Sequence, residues 1–195
     1  MMNPNEMTDE QLAIAYMEGN DKAFDMLLAR NQKKLYSYIM FVVRDTNTAD
    51  DVFQETFVKV ITRLRTRAYT TSGKFSAWLT RIAHNVIIDM YRSQKHDNLV
   101  EPTADNDLTN VLSSDMTYDN VEAQLVLNQN LKEARELMEA LPPTQREVVY
   151  MRFYQQMSFK EIAEVTGQSI NTALGRMRYA VLNMRRMANA YQMAI

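Results

Sequence analysis

The chain reads as an all-α protein built from two small helical domains joined by an acidic, flexible linker. Three observations predict this. Only four Gly and four Pro occur in 195 residues, alongside fifteen Met, and no convincing period-two strand run appears. Helix-start signals recur along the chain, with Thr, Ser or Asn placed just before apolar residues at helical spacing. Between residues 96 and 118 the composition turns to Asp, Asn, Ser and Thr with Pro102, which is linker chemistry. The expected units are residues 1–95, a four-helix bundle, and 119–195, a helix-turn-helix with a packing helix before it.

The first helix opens at Thr8, whose partner Gln11 completes a capping box, and ends near Gly19. Asn20 or Asp21 caps a longer helix that runs to about Arg44. Its apolar residues Phe24, Leu27, Leu28, Leu35, Ile39 and Val42 share one face. A third helix is expected after Asn47 or Thr48 and runs to about Arg65. On a wheel of about 100° per residue, Phe53, Phe57, Val60 and Leu64 form its core face. Asp51, Gln54, Glu55 and Val58 form the opposite face, an acidic surface with one apolar residue. A fourth helix is expected from after Ser72 to around Ser93, burying Phe75, Leu79, Ile82, Val86 and Met90. Lys74, Arg81, Asn85 and Arg92 make a second stripe at roughly the opposite side.

After the linker, residues 119–140 carry Val121, Leu125, Leu127, Leu131, Ala134 and Leu137 at helical spacing, with Leu141 at the end. This helix is expected to pack on the last unit. Pro142 and Pro143 forbid helix just upstream of the next element. Thr144 with Glu147, and Ser158 with Glu161, read as two more capping boxes. Gly167 ends the short helix from Ser158, and Ser169 can cap the longer basic helix that follows. Short helix, glycine turn, basic helix is the layout that places a second helix in a DNA major groove.

Net charge is −2, unusual for a nucleic-acid binder, but the distribution resolves this. Residues 63–95 hold seven basic residues against one acidic, and 144–195 hold seven against three. Residues 96–143 hold ten acidic against two basic. Two potential phosphate-facing surfaces are thus separated by an acidic segment. In the first, Arg65, Arg67, Tyr69 and Lys74 precede Trp78, Arg81, Asn85 and Arg92. Basic residues interleaved with aromatics suit single-stranded DNA, where bases stack on rings and phosphates pair with Arg. Trp78 and Tyr91 fit either that role or an ordinary rim position.

There is no cysteine, and His84 and His96 form no metal-ligand pattern, so neither a metal site nor a cofactor is expected. No 18-residue apolar run exists, and the polar, acidic N-terminus is not a signal peptide, so a cytoplasmic protein without membrane insertion is expected. No Gly-rich phosphate loop or nucleophile–base pattern occurs, which argues against an enzyme or a small-molecule substrate. His84 is expected near the basic stripe as a surface or DNA-contacting residue. One reading is a conventional helix-turn-helix regulator, which binds duplex DNA as a dimer at a palindromic site.

Two ordered segments carry a resemblance. The first is Asp50-Asp51-Val52-Phe53-Gln54-Glu55-Thr56-Phe57, then Trp78 to Asn85, then Asp89 and Arg92. The second is Leu141-Pro142-Pro143, Arg146-Glu147-Val148, Ser158 to Ala163 and Thr172 to Arg178. Together they resemble the sigma-70 family, and by size its compact extracytoplasmic function (ECF) members. The resemblance implies region 2 in residues 1–95 and region 4 in 119–195. It implies that Asp51, Gln54, Glu55 and Val58 meet the β′ clamp helices of bacterial core RNA polymerase, and that the β flap is a second contact. It implies recognition and melting of the promoter −10 element by Arg65, Arg67, Tyr69, Lys74, Trp78, Arg81, Asn85 and Arg92.

It further implies −35 reading around the last helix. There Ala173, Met177, Ala180, Val181 and Met184 face inward by spacing. Lys160, Ser169, Asn171, Thr172, Gly175, Arg176, Arg178 and Tyr179 are the candidate DNA contacts, with Arg176 favoured for a base or neighbouring phosphate. Leu174 departs from the pattern, because members often carry Lys there. An anti-sigma partner is common in the family. In similar proteins the linker, here with Asp105, Asp107 and Asp115, threads near the polymerase active site.

Overall fold

The computed structural model describes residues 6–70, 73–97 and 132–190, and all regular structure in them is helical. The order is α1 (Asp9–Met17), α2 (Asp21–Val43), α3 (Thr46–Arg65), α4 (Phe75–Asp97), α5 (132–139), α6 (Pro143–Phe153), α7 (Phe159–Thr166) and α8 (Ile170–Ala190). The expected linker beyond residue 97, with Asp105, Asp107 and Asp115, lies outside the described residues. So do Val121, Leu125, Leu127 and Leu131.

Local signals set most of the boundaries. The Thr8–Gln11 and Ser158–Glu161 capping boxes both form, each with reciprocal side-chain-to-amide bonds. Gly167 caps α7 at φ 65°, a left-handed conformation that glycine adopts without Cβ strain. The Ser169 hydroxyl accepts from the Thr172 amide at 3.0 Å and starts α8. Two boundaries differ from expectation. α3 begins at Thr46 because Asp45, not Asn47 or Thr48, accepts from the Thr48 amide at 2.7 Å. α4 starts at Phe75 and continues to Asp97, past the expected end at Ser93 and past residue 95.

The third capping box does not form. α6 starts from Pro142 with Pro143 in its first turn, and no side chain caps it. Proline lacks the amide a cap would satisfy, so α6 needs that cap less. Glu147 is thereby released and turns into the protein, where it is 3% exposed.

The first unit packs α1, α2, α3 and α4 around Leu12, Leu27, Ile39, Val60, Leu64 and Ile82. In α3 the centre of the buried face is Ala49, Val52, Thr56, Val60 and Leu64, while Phe53 and Phe57 are half-buried at its rim. The wheel placed those two Phe at the centre, one residue away. Thr56 fits the interior because its hydroxyl returns to the Val52 carbonyl at 2.7 Å.

The second unit packs α5, α6, α7 and α8 around Leu137, Leu141, Val149, Ile162 and Ala180. Ala173 and Ala180 face inward as expected and Met177 and Met184 are half-buried. Val181 is exposed, because the groove beside it between α5, α6 and α8 is open. The two units are not separate bodies on a string. α6 lies on α2 and α7 lies on α4, and one apolar core runs through both.

Candidate nucleic-acid interface

α4 carries the first candidate surface. Lys74, Arg81, Asn85 and Arg92 are all exposed, as the stripe predicts, and Phe75, Leu79, Ile82 and Val86 are buried on the opposite side. Met90 is only half-buried. The helix is more enclosed than an amphipathic stripe requires, since Thr80, Ala83, His84 and Ile87 are buried too. The cause is the second unit: α7 packs on α4, Gln155 donates to the Thr80 hydroxyl at 3.2 Å, and Glu147 of α6 meets His84.

The aromatics before α4 do not stand free. Tyr69 is 4% exposed, with ring centroids 4.6 Å from Trp78 and 5.7 Å from Phe75. This corrects the expectation of an open stacking platform at Tyr69. Burial, with Glu10 nearby, pushes the Tyr69 phenol well above its ordinary range, so it stays neutral. Trp78 and Tyr91 are half-buried, at the rim. Arg65 and Arg67 are exposed. The Arg65 Nε donates to the Tyr16 hydroxyl at 2.9 Å, and Arg67 turns the chain at φ 54°.

α8 carries the second surface. Ser169 and Asn171 are exposed at its start, and Thr172, Gly175, Arg176, Arg178 and Tyr179 are half-buried. Arg178 is less outward than expected, and its Nη2 is buried without a hydrogen-bond partner. Lys160 is exposed on α7, and Leu174 is 43% exposed where a basic residue would otherwise extend the charge. On α3, Asp51, Gln54, Glu55 and Val58 are all exposed, Val58 at 62%, and they form one continuous face.

Three features escaped the sequence reading. Lys59, paired with Glu55 at 2.8 Å, carries the basic stretch that starts at Arg63 along α3 towards Asn85 and Arg92, and all four line one cleft of about 540 Å³ together with Asp89. Spacing by four residues on α3 was the available signal. Lys74 donates to Glu161 of α7 at 2.7 Å, across 87 residues. That ammonium, with the Ser158 amide and hydroxyl, holds the Glu161 carboxyl down at about 2. His84 is 6% exposed rather than on the surface, and its Nδ1 lies 2.7 Å from the Glu147 Oε1. Among the described residues no group of three or more His, Asp or Glu could hold a metal ion.

These features define an all-helical protein with a basic, aromatic-flanked helix in one unit and a helix-turn-helix in the other. Family models agree. Residues 27–96 match sigma-70 region 2 and residues 131–177 match sigma-70 region 4, together more than half the chain. The ECF RNA polymerase sigma factor SigX of Bacillus subtilis is 28% identical over 145 residues, covering 74% of this chain and 72% of SigX. The ECF RNA polymerase sigma factor SigK of Mycobacterium bovis is 25% identical over 183 residues, covering 93% and 95%. Among solved structures, CnrH in complex with the cytosolic domain of CnrY aligns with a TM-score of 0.62 at 26% identity, over 93% of this chain and 97% of that one. The sigma factor RpoE of Bartonella quintana, bound to the anti-sigma factor NepR, shares the fold with a TM-score of 0.61 at 17% identity, over 86% and 98%.

The chain belongs to the sigma-70 family, as an ECF sigma factor. It directs transcription initiation together with core RNA polymerase. Members of this family are regulators rather than enzymes.

Proposed function

We propose that residues 1–95 form the region 2 domain and 119–195 the region 4 domain, with 96–118 as the tether. The exposed α3 face of Asp51, Gln54, Glu55 and Val58 docks on the β′ clamp helices, and the helix-turn-helix unit on the β flap. The α4 stripe of Lys74, Arg81, Asn85 and Arg92, with Arg65, Arg67 and Trp78, binds and opens the −10 element. Tyr69 supports Trp78 from beneath rather than stacking on a base itself. Arg176, Asn171, Thr172 and Ser169 enter the major groove at −35, and Lys160, Gly175, Arg178 and Tyr179 flank that contact. Phosphodiester chemistry belongs to the polymerase, and this chain supplies start-site choice.

The observation that carries this reading is the exposed row of Lys74, Arg81, Asn85 and Arg92 on and just before α4, in which Asp89 pairs with Arg92 at 3.8 Å. Arg with Asn suits base edges and phosphates alike, and a Trp beside them can hold an unstacked base. No helix among the described residues is long and apolar enough to cross a membrane. A cytoplasmic factor fits that, and so does an anti-sigma partner of the kind that RpoE carries in its complex. The test is co-elution with core polymerase. Wild type co-elutes, and a Gln54→Ala, Glu55→Ala double variant that stays folded does so weakly. Equal co-elution of both would remove α3 from the docking surface.

A further inference from the structure

The region 2 match begins at residue 27, so α1 precedes it, yet α1 meets two parts of the −10 surface. Leu12 and Ala13, both 0% exposed, seat α1 in the bundle, where it packs on α2, α3 and α4. Its first turn is fixed from α2. The Asn31 side-chain amide donates to the Asp9 carboxylate at 2.8 Å, and Arg30 adds an ion pair at 3.4 Å. Its last turn carries Tyr16, 6% exposed, whose ring packs on Phe24 with centroids 4.8 Å apart. The Tyr16 hydroxyl accepts from Arg65 Nε at 2.9 Å, across 49 residues. A hydroxyl on a ring so enclosed is a fixed point, and it holds one edge of an exposed arginine.

Arg65 is the last residue of α3. Beyond it the chain turns at once, with Arg67 at φ 54° and the Ala68 amide donating to the Arg63 carbonyl at 2.8 Å. A guanidinium presents five N–H donors in a rigid planar fork. With Nε engaged by Tyr16, the donors on Nη1 and Nη2 remain, and among the described residues they make no hydrogen bond or ion pair. Two such donors match the oxygens of a phosphate. An arginine held in advance loses less rotamer entropy when that phosphate arrives. α1 reaches the aromatic side as well, because Glu10 lies near Tyr69, which backs Trp78 at 4.6 Å. The Glu10 carboxylate oxygens and the Tyr69 hydroxyl are shielded from solvent but complete no hydrogen bond, so the specific hold on this surface is that of Tyr16 on Arg65.

We propose that α1 braces the −10 surface and that Tyr16 is a positioning residue, whose hydroxyl holds Arg65 so that its free fork meets a backbone phosphate of the opened −10 strand. This role rests on the −10 reading of α4 and the turn before it. It adds to that reading a residue that touches no DNA itself.

The test uses holoenzyme assembled from the full chain, with core polymerase saturated. A single-stranded DNA library randomised in sequence is captured on wild-type holoenzyme and on core alone, and the strand that holoenzyme enriches becomes the probe. Tyr16→Phe keeps the ring against Phe24 and removes only the hydroxyl. It is expected to weaken probe binding about three- to tenfold. The slope of log affinity against log salt should shrink by about 0.7, the share of one single-strand phosphate contact. Arg65→Ala is expected to lose at least as much, and adding Tyr16→Phe to it should cost nothing further. A merely structural Tyr16 would add its loss to that of Arg65→Ala and leave the salt slope alone.

Should Tyr16→Phe melt far below wild type, Arg65→Lys decides. Position 65 is exposed, and lysine keeps the charge while lacking the fork that Tyr16 holds. That protein is expected to bind the probe nearly as weakly as Arg65→Ala. Wild-type affinity and salt slope in a folded Tyr16→Phe holoenzyme would overturn the brace and leave the −10 reading standing. So would additive losses, or an Arg65→Lys protein that binds like wild type. A wild-type holoenzyme that enriches no strand over core alone would overturn the −10 reading, and the brace with it.

Discussion

Removing the Glu147 carboxylate tests how much of the fold's cohesion sits at one buried atom. Glu147→Ala deletes the acceptor shared by Tyr38 and His84 and leaves both polar groups inside, at 0% and 6% exposure. Leaving two buried polar groups without their shared acceptor costs about 3–5 kcal/mol in all. For a chain of this size that corresponds to a fall in melting temperature of about 6–20 °C. Trp78 is the only tryptophan and sits on α4 beside Tyr69 and Phe75, so its fluorescence follows the first unit while far-ultraviolet circular dichroism follows all helices. Urea melts of wild type, Tyr38→Phe, Glu147→Ala and the double variant close a mutant cycle. Tyr38 and Glu147 touch directly, so a coupling of about 1–3 kcal/mol is expected. Additive losses, or a Glu147→Ala cost below about 1 kcal/mol, would refute the reasoning.

Three further outcomes are expected. The Gln54→Ala, Glu55→Ala protein should melt within a degree or two of wild type, because both side chains are exposed on α3; a large drop would mean that face is structural. Arg176→Ala should weaken binding to a cognate −35 duplex by about 1–3 kcal/mol in competition assays, and an equal loss on all sequences would make Arg176 a phosphate contact only. The Glu161 carboxyl, at 4.5 when unpaired, is held at about 2 by Lys74 and the Ser158 cap, so its stabilisation is present above pH 4.5 and fades as pH falls towards 2. Lys74→Met should flatten that part of the acid-stability curve, and an unchanged curve would show that Lys74 does not hold the carboxylate.

Features set by neighbours in the chain were legible before any coordinates. Thr8 with Gln11 and Ser158 with Glu161 are three apart, so both capping boxes could be read, as could Gly167 at the end of α7. The same rule failed at Thr144 with Glu147, where Pro142 and Pro143 already start the helix and distant partners outbid the local amide. Nothing in the spacing of Tyr38, His84 and Glu147 announces that they meet. His84 was expected near the surface for the same reason: Glu147 of α6, which meets it, arrives from the other unit. The exposed faces of α3 and α4 were readable because helical periodicity separates them from the core. Tyr69 was misjudged because a loop aromatic has no period, and only packing against Phe75 and Trp78 shows that it is internal. A wheel resolves direction to about one residue, which is the margin by which Val52 and Thr56, rather than Phe53 and Phe57, occupy the centre of the α3 face.

Reconstituted transcription tests the central claim most directly. Bacterial core polymerase, this protein and a fragment library of its own genome would be combined, and transcript starts mapped with and without the protein. Discrete new starts sharing two upstream sequence elements, abolished by Arg81→Ala with Arg92→Ala and altered in upstream preference by Arg176→Ala, are the predicted result. No new starts and no association with core would contradict the account and return the protein to the class of conventional duplex-binding regulators.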